Sequence, residues 1–305
     1  MKNFNIKNLV LGLLAVMVIA YGIGTIIMFT SPGSVFNGEK NSFNINDTKT
    51  ASLNGIKAIN VNVSSTSINI IPTNESEFKA HLEGNVVSMG SYAKPDLECY
   101  TSGNTLYVNV KNKSGVNFGF FSSSLKLDIY FPAAYSNELK LSSSSGSINA
   151  RDLKLSKLQC TASSGSTTLE NVTADSFDYS SSSGSLNANG LTTNTTKLTS
   201  SSGGKRVSSF IGDIKSSSSS GSTKIEYSLF DNSIDINASS GSVEVKLPET
   251  AAFYLDANVS SGSIRSDFPI MVTGSNNKHQ LKGTVGSDKN KVKINTSSGS
   301  IRIIK

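Results

Sequence analysis

Few side chains in this chain have the types and spacing that catalysis needs. Ser123 and Lys126 match the Ser-x-x-Lys pattern of penicillin-interacting serine enzymes, in which the serine is the nucleophile. The partner motifs of those enzymes are absent from the sequence, and a chain this rich in serine produces the pattern by chance. Leu247-Pro-Glu-Thr-Ala251 resembles a sortase sorting signal, but residues 252–305 continue as repeat sequence instead of an apolar segment and a basic tail. We expect neither motif to be functional.

The two cysteines and two histidines lack the companions that a metal site or a disulfide scaffold requires. Cys99 and Cys160 could pair outside the cell, but Cys160 occupies an inward strand position that favours a buried thiol. His81 and His279 have no partners at ligand spacing, and no paired carboxylates stand out. The sequence therefore predicts no catalytic residue, no metal ion and no cofactor. A carbohydrate-active site assembled from distant repeats of a β-helix is an alternative.

The composition limits the class of protein. Of 305 residues, 37% are hydrophobic and only 16% are charged, and Ser, Asn, Thr and Gly make up much of the remainder. Such a composition excludes a coiled coil and a polytopic membrane protein. The formal net charge of +6 is spread along the chain without basic runs, so we predict no nucleic-acid partner. A mild positive balance suits contact with anionic wall polymers or lipid head groups.

The N-terminus carries an apolar segment. Leu9–Phe29 contains no charged residue and is preceded by Lys2 and Lys7. A helix of this length crosses a bilayer, and the positive-inside rule places Met1 in the cytoplasm. We expect a cytoplasmic tail (1–7), a transmembrane anchor (8–30) and a polar tether (31–54), which gives a single-pass protein with its C-terminal part outside the cell membrane. A cleaved signal peptide is the alternative.

A repeat governs the second half of the chain. Ser-Ser-Gly recurs at intervals of 19, 19, 19, 18, 20, 21 and 37 residues. The last interval is about twice the others, so we expect a lost glycine or an insertion there, with Gly274–Asn290 as the inserted loop. The glycines of these corners are the only site residues that the sequence singles out, in a structural role: Gly146, Gly165, Gly184, Gly203, Gly221, Gly241, Gly262 and Gly299.

The apolar residues around each glycine alternate with period two. Before Gly146 stand Leu139 and Leu141, and after it stand Ile148 and Ala150. This alternation predicts strands with one face inward. The inward positions three before and two after the glycine differ by an odd number, so a continuous strand would turn its side chains inside out. The chain must therefore turn a corner, where glycine takes positive φ without strain.

A second corner is expected six residues after the glycine, at Asp152, Asn171 and Gly190, because these residue types tolerate a left-handed backbone. One repeat of about 19 residues is thus three short strands and two corners. We predict an all-β fold, a parallel β-solenoid (β-helix-like) built from such rungs and preceded by one transmembrane helix. A disordered Ser-rich linker would not keep the register, and a β-sandwich would not give this period.

The first half of the expected solenoid is less regular. Ile59, Val61 and Val63 lead to a rung with Thr66 in the glycine position. We therefore divide the solenoid into a strand-rich part (55–138), with a hairpin turn at Gly103-Asn104, and the Ser-Ser-Gly part (139–305). A small apolar loop lies at 116–121. The last repeat, Lys291–Lys305, is expected to form the end of the rod.

These features resemble the bacterial putative-adhesin β-repeat family. The matching pieces are the strand that ends in proline (Leu127-Asp-Ile-Tyr-Phe-Pro132), the eight Ser-Gly corners, the segment Gly283–Gly286 and the final Thr296–Ile303. The resemblance covers about residues 55–305. It implies a β-helix-like fold displayed outside the cell membrane and carries no assignable functional residue.

We therefore expect a non-enzymatic, membrane-anchored module that binds or scaffolds the cell envelope as adhesins do. Its expected partners are the membrane, through residues 8–30, and an anionic wall polymer or an envelope protein. An accessory or sensor subunit of an envelope stress response is one alternative, and a carbohydrate-active enzyme on a β-helix is another. The sequence does not set the oligomeric state.

Overall fold

The structure is a computed structural model that describes residues 13–22, 40–89, 94–111 and 121–305. Residues 13–22 form a short helix. Within the described ranges, no helix is both long and apolar enough to cross a membrane. The predicted anchor (8–30) and tether (31–54) lie partly outside these ranges, and nearly all of the apolar loop at 116–121 does.

The described part of the chain beyond the helix is built from strands. In chain order they are β1 Lys40–Ser52, β2 Ala58–Val63, β3 Ser67–Thr73, β4 Glu77–Met89, β5 Asp96–Ser102, β6 Thr105–Lys111, β7 Phe121–Pro132, β8 Glu138–Ser143, β9 Ile148–Ala162, β10 Thr167–Ser181, β11 Leu186–Ser200, β12 Lys205–Ser218, β13 Thr223–Tyr227, β14 Ile234–Ser240, β15 Val243–Lys246, β16 Phe253–Ser261, β17 Ile264–Ser266, β18 Met271–Asn277, β19 Gln280–Val285, β20 Lys291–Ser298 and β21 Ile301–Ile304.

The repeats form two facing sheets of a solenoid. The strand after each corner glycine belongs to sheet 1, with the order β1-β4-β7-β3-β9-β10-β11-β12-β13-β15-β21-β17. The strand before the glycine belongs to sheet 2, with the order β5-β6-β2-β8-β9-β10-β11-β12-β14-β20-β16-β19-β18. The long strands β9–β12 bend and contribute to both sheets. The predicted all-β, solenoid-like fold is confirmed.

One hydrophobic core fills the space between the sheets. Alternate side chains of each strand point inward, as the fully buried Leu158, Phe177 and Leu198 do from neighbouring repeats. Burying each such side chain stabilises the fold by roughly 1.5–3 kcal/mol relative to exposure. Because each repeat presents the same inward positions, the core rows run from rung to rung along the solenoid axis.

The second corner of the repeat has the predicted backbone. Asp152, Asn171 and Gly190 have φ values of 52°, 53° and 71°. Their stacking is supported by a hydrogen bond in which Asn171 Nδ2 donates to Asp152 Oδ1 at 3.1 Å. Ser209, six residues after Gly203, also has a positive φ of 52°, although serine gives no left-handed signal in the sequence. The structure of the neighbouring rungs imposes this conformation on Ser209.

The last repeat of the chain is an internal rung. β20 pairs in parallel with β14 on one side and with β16 on the other, and β21 lies in the same way between β15 and β17. The prediction that Lys291–Lys305 forms the end of the rod is therefore wrong. The reason is the hairpin of β18 and β19, which packs antiparallel on the outer side of β16 and returns the chain to its inner side. This hairpin occupies much of the predicted loop Gly274–Asn290.

The other end of the solenoid repeats this arrangement. β2 lies between β6 and β8, and β3 lies between β7 and β9. The rung that comes first in the sequence, with Thr66 at its corner, is thus the second rung in space. The strands of the two predicted parts (55–138 and 139–305) pair directly with each other. β5 and β6 form the hairpin predicted at Gly103-Asn104. Antiparallel strands flank sheet 2 at both ends, whereas sheet 1 is flanked by β4 and β1 at one end and ends at the parallel strand β17 at the other.

The strand β1 differs from the sequence-based interpretation. Lys40–Ser52 lies within the predicted tether (31–54), but it pairs antiparallel with β4 along its whole length. Only Ile45 is fully buried among its described side chains. A strand held by backbone pairing at a sheet edge, with so few inward apolar residues, leaves little alternation to detect in the sequence.

Candidate functional site

The eight corner glycines form one stack with Thr66 along the solenoid. A β-carbon on each glycine would overlap the carbonyl oxygen of the preceding member of the stack or press tightly against it. The order in space is Thr66, Gly146, Gly165, Gly184, Gly203, Gly221, Gly241, Gly299 and Gly262. Glycine is therefore required at these corners because the backbones of successive rungs approach so closely.

A positive φ explains the requirement for glycine at only half of these corners. Values between 112° and 142° occur at Gly221, Gly241, Gly262 and Gly299, whereas Gly146, Gly165, Gly184 and Gly203 have no positive φ. The corner serines add backbone hydrogen bonds between rungs, as from Ser183 N to Ser163 O at 2.7 Å. The corner stack is thus a structural seam, and its role is to hold the two sheets in register.

The two sequence motifs that resemble functional sites do not form such sites in the structure. Ser123 and Lys126 are three residues apart on the regularly paired strand β7, so their side chains point to opposite faces. Leu247 and Ala251 of the sortase-like segment are 1% and 7% exposed and belong to a turn between rungs. Neither segment presents the geometry that a nucleophile or a sorting signal requires.

The two cysteines cannot reach each other. Cys99 and Cys160 lie in one inward row of sheet 2, in the order Cys99, Val108, Val61, Leu141 and Cys160. Four strand steps of about 4.8 Å place them roughly 19 Å apart, whereas a disulfide needs Cα atoms within about 7 Å. Both thiols are free. Burial raises the pKa of the Cys160 thiol to about 12, so it behaves as a small core side chain.

His81 belongs to a chain of polar side chains across sheet 1. Its Nδ1 lies 2.8 Å from Thr48 Oγ1 and its Nε2 lies 3.3 Å from Glu83 Oε2. Lys126 Nζ then contacts Glu83 Oε1 and Asp128 Oδ2, each at 2.9 Å. The hydrogen bonds from Lys126 and from His81 hold the pKa of the Glu83 carboxyl below its usual value. A carboxyl paired in this way is a poor general acid or base at neutral pH.

The residues that the structure describes form no metal site. Across the described ranges, no three His, Cys, Asp or Glu side chains come together in a way that could hold a metal ion. The His81 chain continues to Asn69, whose Nδ2 donates to Asp128 Oδ1 at 2.7 Å, and to Asn149, whose Nδ2 donates to Asn69 Oδ1 at 2.9 Å. We therefore interpret the His81 chain as a structural tie between strands.

A large concave feature lies on the outer surface of sheet 2. It has a volume of about 720 Å³ and crosses the strands β11, β12, β14, β20 and β16, so it runs along the solenoid axis. We call it the polar groove. One wall is the row formed by Thr199, Ser217, Asn237, Asn295 and Asn258, and the other wall is the row of corner serines Ser201, Ser219, Ser239, Ser297 and Ser260.

The first wall of the polar groove is part of a longer uncharged row. Register places these side chains directly beside one another across eleven strands of sheet 2, at the position four residues before the corner in the repeat strands. In spatial order the row is Asn109, Asn62, Ser142, Thr161, Ser180, Thr199, Ser217, Asn237, Asn295, Asn258 and Gln280. Every member carries a hydroxyl or an amide, so the surface offers hydrogen bonds without net charge.

The amides at one end of the row form a hydrogen-bonded relay. Gln280 Nε2 donates to Asn258 Oδ1 at 2.9 Å, Asn258 Nδ2 donates to Asn295 Oδ1 at 3.1 Å, and Asn295 Nδ2 donates to Asn237 Oδ1 at 3.0 Å. The relay ends where Asn237 Nδ2 donates to Asp235 Oδ1 at 2.9 Å. Each bond polarises the next, so the four amides are held in one orientation.

A charged row runs beside the uncharged one. It contains Lys197, Lys215, Asp235, Lys293, Asp256 and Lys282, in spatial order. Both signs are represented, and Lys282 Nζ lies 3.3 Å from Asp256 Oδ1. None of these charged residues lines the polar groove. The face as a whole therefore lacks the single-sign field that a polyanion would select.

A buried lysine lies beneath the floor of the polar groove. Lys205 is 2% exposed, and its Nζ donates to Ser200 Oγ at 3.0 Å and to the carbonyl oxygen of Ser217 at 2.9 Å. Burial lowers the pKa of Lys205 to about 8. It occupies the inward position two residues after Gly203, where other repeats carry Ile, Leu, Val or Thr. Nearby buried hydroxyls of Ser218 and Thr223 have no hydrogen-bond partner among the described residues.

His279 stands at the far end of the polar groove, in the turn between β18 and β19. Its carbonyl oxygen accepts a hydrogen bond from Val259 N at 2.8 Å. Its ring atom Nδ1 is buried, and no described residue makes a hydrogen bond to it. His279 has no companions at ligand spacing in the sequence, and the structure supplies the neighbours Asn258 and Ser260 through the return of the hairpin onto β16.

The polar groove and Lys205 are not among the features predicted from the sequence, although both have a signal in the repeat. Aligned on the corner glycine, the position four residues earlier is always an uncharged polar residue, and the position two residues later is inward. That alignment would have predicted the row and the buried lysine. It would not have predicted the relay, which depends on the intercalation of β20 between β14 and β16.

No curated protein matches the chain significantly. Three solved structures are similar: a putative lipid binding protein from Parabacteroides distasonis ATCC 8503 (18% identity, TM-score 0.45, 88% of this chain and 98% of that chain), a putative adhesin from Parabacteroides merdae ATCC 43184 (13%, 0.40, 88% and 98%), and a putative cell adhesion protein from Clostridium sporogenes ATCC 15579 (14%, 0.26, 86% and 99%).

A family model identifies the chain. The model described as Toastrack DUF4097 matches residues 56–304. The match begins just before β2 and ends with β21, so it spans both intercalated rungs and all the corner glycines. It confirms the family resemblance inferred from the corner repeats. The chain belongs to the Toastrack DUF4097 family.

Proposed function

We propose that this protein is a non-enzymatic, adhesin-like binding module of the cell envelope. The observation that carries the proposal is the uncharged row of hydroxyl and amide side chains, which continues across eleven strands of sheet 2 and lines the polar groove. Such a surface presents many equivalent hydrogen-bonding groups at a fixed spacing of about 4.8 Å. Repetition of this kind suits a repetitive ligand of the envelope, such as a wall polymer.

The absence of an assembled catalytic constellation in the described residues supports the non-enzymatic part of the proposal. The nucleophile–base pair suggested by Ser123 and Lys126 is divided between two faces of a strand. Glu83 is tied to Lys126, and no carboxylate lines the polar groove. Hydrolysis of a glycan by general acid catalysis would need two carboxyl groups across the scissile bond.

A membrane anchor is the second part of the proposal. Its support lies in the sequence: Leu9–Phe29 is apolar and uncharged, and Lys2 and Lys7 precede it. In this arrangement one helix anchors the chain in the cell membrane, and the solenoid lies outside, where it meets wall polymers or envelope proteins. The charged row beside the polar groove carries both signs. It can therefore contact wall polymers or envelope proteins, and it does not favour nucleic acid.

The test uses the full chain reconstituted in neutral lipid nanodiscs. Saturable binding to isolated cell walls that survives high salt would support the proposal, since binding through hydrogen bonds is little affected by screening. Binding only to anionic vesicles, lost at high salt, would contradict it. Release of reducing sugar from the walls would contradict the non-enzymatic part.

The anchor is tested separately in cells. We expect the chain to stay with membranes after carbonate extraction and to be degraded by protease added outside the cell, where the solenoid would lie. Deletion of residues 9–29 should release it from the membrane fraction. Protection from external protease in intact cells would contradict the proposed orientation.

A further inference from the structure

We infer that the polar groove binds a linear, uncharged glycan chain that lies parallel to the solenoid axis. This inference rests on the proposed binding function and adds to it the chemical class of the ligand and its place. It departs from the anionic polymer expected from the sequence. The inference is argued from the repeat distance, the hydrogen-bonding groups and the charge of the groove.

The repeat distance of the groove matches a polymer of sugars. The groove crosses five neighbouring strands, which is four steps of about 4.8 Å and roughly 19 Å in all. One unit of an extended, β-linked glycan has nearly the length of one strand step. Alternate units of a β-1,4-linked chain are turned over, so equivalent sugar faces recur every two rungs, and every unit still lies beside one rung of the groove.

The hydrogen-bonding groups of the groove suit sugar hydroxyls. In the described structure the hydroxyls of Thr199 and Ser217 make no hydrogen bond, so each can donate and accept. Asn295 and Asn237 each use one N–H in the relay and keep the other. The oxygen of each amide accepts one relay bond and keeps a second lone pair. The groove therefore offers both donors and acceptors along its length, which suits the hydroxyl groups of a glycan.

The hydrogen-bonded relay orders the amide side chains of the polar groove before a ligand binds. Asn258, Asn295 and Asn237 are held by hydrogen bonds of 2.9–3.1 Å to each other and to Asp235. Their side chains therefore lose little rotamer freedom when a glycan binds, and ordering costs of about 0.5–1.5 kcal/mol per mobile side chain are largely avoided.

The lining disfavours the other ligand classes. Residues of the polar groove are Ser, Thr, Asn, Ala, Val and His, and none is Lys, Arg, Asp or Glu. A polyanion or nucleic acid would lose its hydration without gaining a counter-charge in the groove. An acyl chain would need an apolar lining, and here hydroxyls and amides form both walls. An uncharged, hydroxyl-rich chain satisfies these groups at the least desolvation cost.

The experiment measures binding of defined oligosaccharides to the full chain in nanodiscs by calorimetry. The uncharged probes are the β-1,4-linked hexamers of glucose and of N-acetylglucosamine, with their trimers for length. The anionic probe is the galacturonate hexamer. We expect an uncharged hexamer to bind more tightly than its trimer, because it fills more rungs, and to bind equally at low and high salt.

Two groove variants and one matched control test the location. Asn295→Leu removes the central amide of the relay, and Thr199→Leu changes an exposed residue without hydrogen bonds, so its fold is not at risk. Each should weaken binding by about tenfold, as expected for one or two lost hydrogen bonds. Asn187→Leu alters an exposed residue on the outer surface of sheet 1, on the same strand as Thr199, and should leave binding unchanged.

Several outcomes would overturn the inference. Tighter, salt-sensitive binding of the galacturonate hexamer would show an anionic ligand. Equal binding of the uncharged hexamers by the groove variants and by Asn187→Leu would place the site elsewhere. Cell-wall binding without any binding of uncharged glycans would reject the inference and leave the proposed function standing, whereas loss of both would reject the two together.

Discussion

Gly203 lies so close to the carbonyl oxygen of Gly184 that a β-carbon on Gly203 would overlap that oxygen. The next residue, Gly204, has no atom nearer than 3.8 Å to the corresponding position. Two adjacent glycines therefore differ sharply in what they tolerate. The overlap at Gly203 involves backbone on both sides, so it cannot be relieved by a side-chain rotation.

The first prediction concerns this pair. Gly203→Ala should lower the free energy of unfolding by about 3 kcal/mol, because two rungs must separate locally. Gly204→Ala should change it by less than about 1 kcal/mol, since its φ is not positive and the space is open. Urea denaturation followed by circular dichroism checks both. Equal effects of the two substitutions would show that close stacking does not explain the corner glycines.

The second prediction concerns Lys205. Burial lowers its pKa from 10.5 to about 8, so between these values the unfolded chain holds a proton that the folded chain has lost. The cost of burying the charge is therefore full below pH 8 and vanishes as the pH rises above 10.5. We expect the stability of the native protein, relative to Lys205→Met, to rise by roughly 3 kcal/mol across this window.

The comparison with Lys205→Met removes the contribution of buried tyrosines, which also titrate at high pH and are present in both proteins. The measurement is the urea midpoint at a series of pH values. A difference that stays constant with pH would mean that Lys205 keeps its ordinary pKa in the folded chain, for example by binding an anion.

The third prediction concerns a serine in the core. Ser216 is 1% exposed in an inward row between Leu198 and Ile236, and its hydroxyl has no partner among the described residues. Ser216→Ala should raise the free energy of unfolding by about 1–2 kcal/mol, because an unsatisfied buried hydroxyl is removed. Ser217→Ala, which changes the neighbouring outward hydroxyl, serves as the matched control. Destabilisation by Ser216→Ala alone would reveal a hydrogen bond to a buried water.

The fourth prediction concerns the cysteines. The native chain should contain two free thiols and show no mass change on reduction, because four strand steps separate Cys99 from Cys160. Cys160 should react with a thiol reagent only after unfolding, since its thiol is fully buried and its pKa is raised to about 12. Cys99 is partly exposed and should react slowly in the native chain. A protein that migrates faster without reductant would contradict this arrangement.

The fifth prediction concerns the intercalated rung. Deletion of residues 291–305 removes β20 and β21, which separate β16 from β14. Hydrogen exchange should then show lost protection across β16 to β19, although none of these strands is deleted, because their inner support is gone. In an ordinary solenoid, removal of a terminal repeat would affect one interface only. Unchanged protection of β16 would show that it docks directly on β14.

Much of the fold could be predicted because each repeat carries the same physical constraints. The alternation before and after Gly146 predicts inward faces, and the odd step across it predicts a corner. Asp152, Asn171 and Gly190 mark the second corner through their tolerance of positive φ, which the structure confirms. These inferences depend only on the residues within one repeat, and the pattern within a repeat recurs regularly along the chain.

The order of rungs at the two ends could not be predicted. The strands β14, β16 and β20 have the same inward pattern, so nothing local states which of them are neighbours. The same holds for the relay of Asn258, Asn295 and Asn237, which exists only in the intercalated order. The edge strand β1 is held mainly by backbone pairing, which leaves little trace in side-chain type.

Intercalation also has a consequence for the timing of folding. Phe253–Ser266 is synthesised before Lys291–Ile304, yet it lies outside that rung in the finished stack. If β16 paired with β14 as soon as both strands were available, β20 could no longer insert between them. The chain would then be trapped in a misfolded state with nearly native pairing. Productive folding therefore needs the segment from β16 to β19 to wait, unpaired, while the final rung arrives.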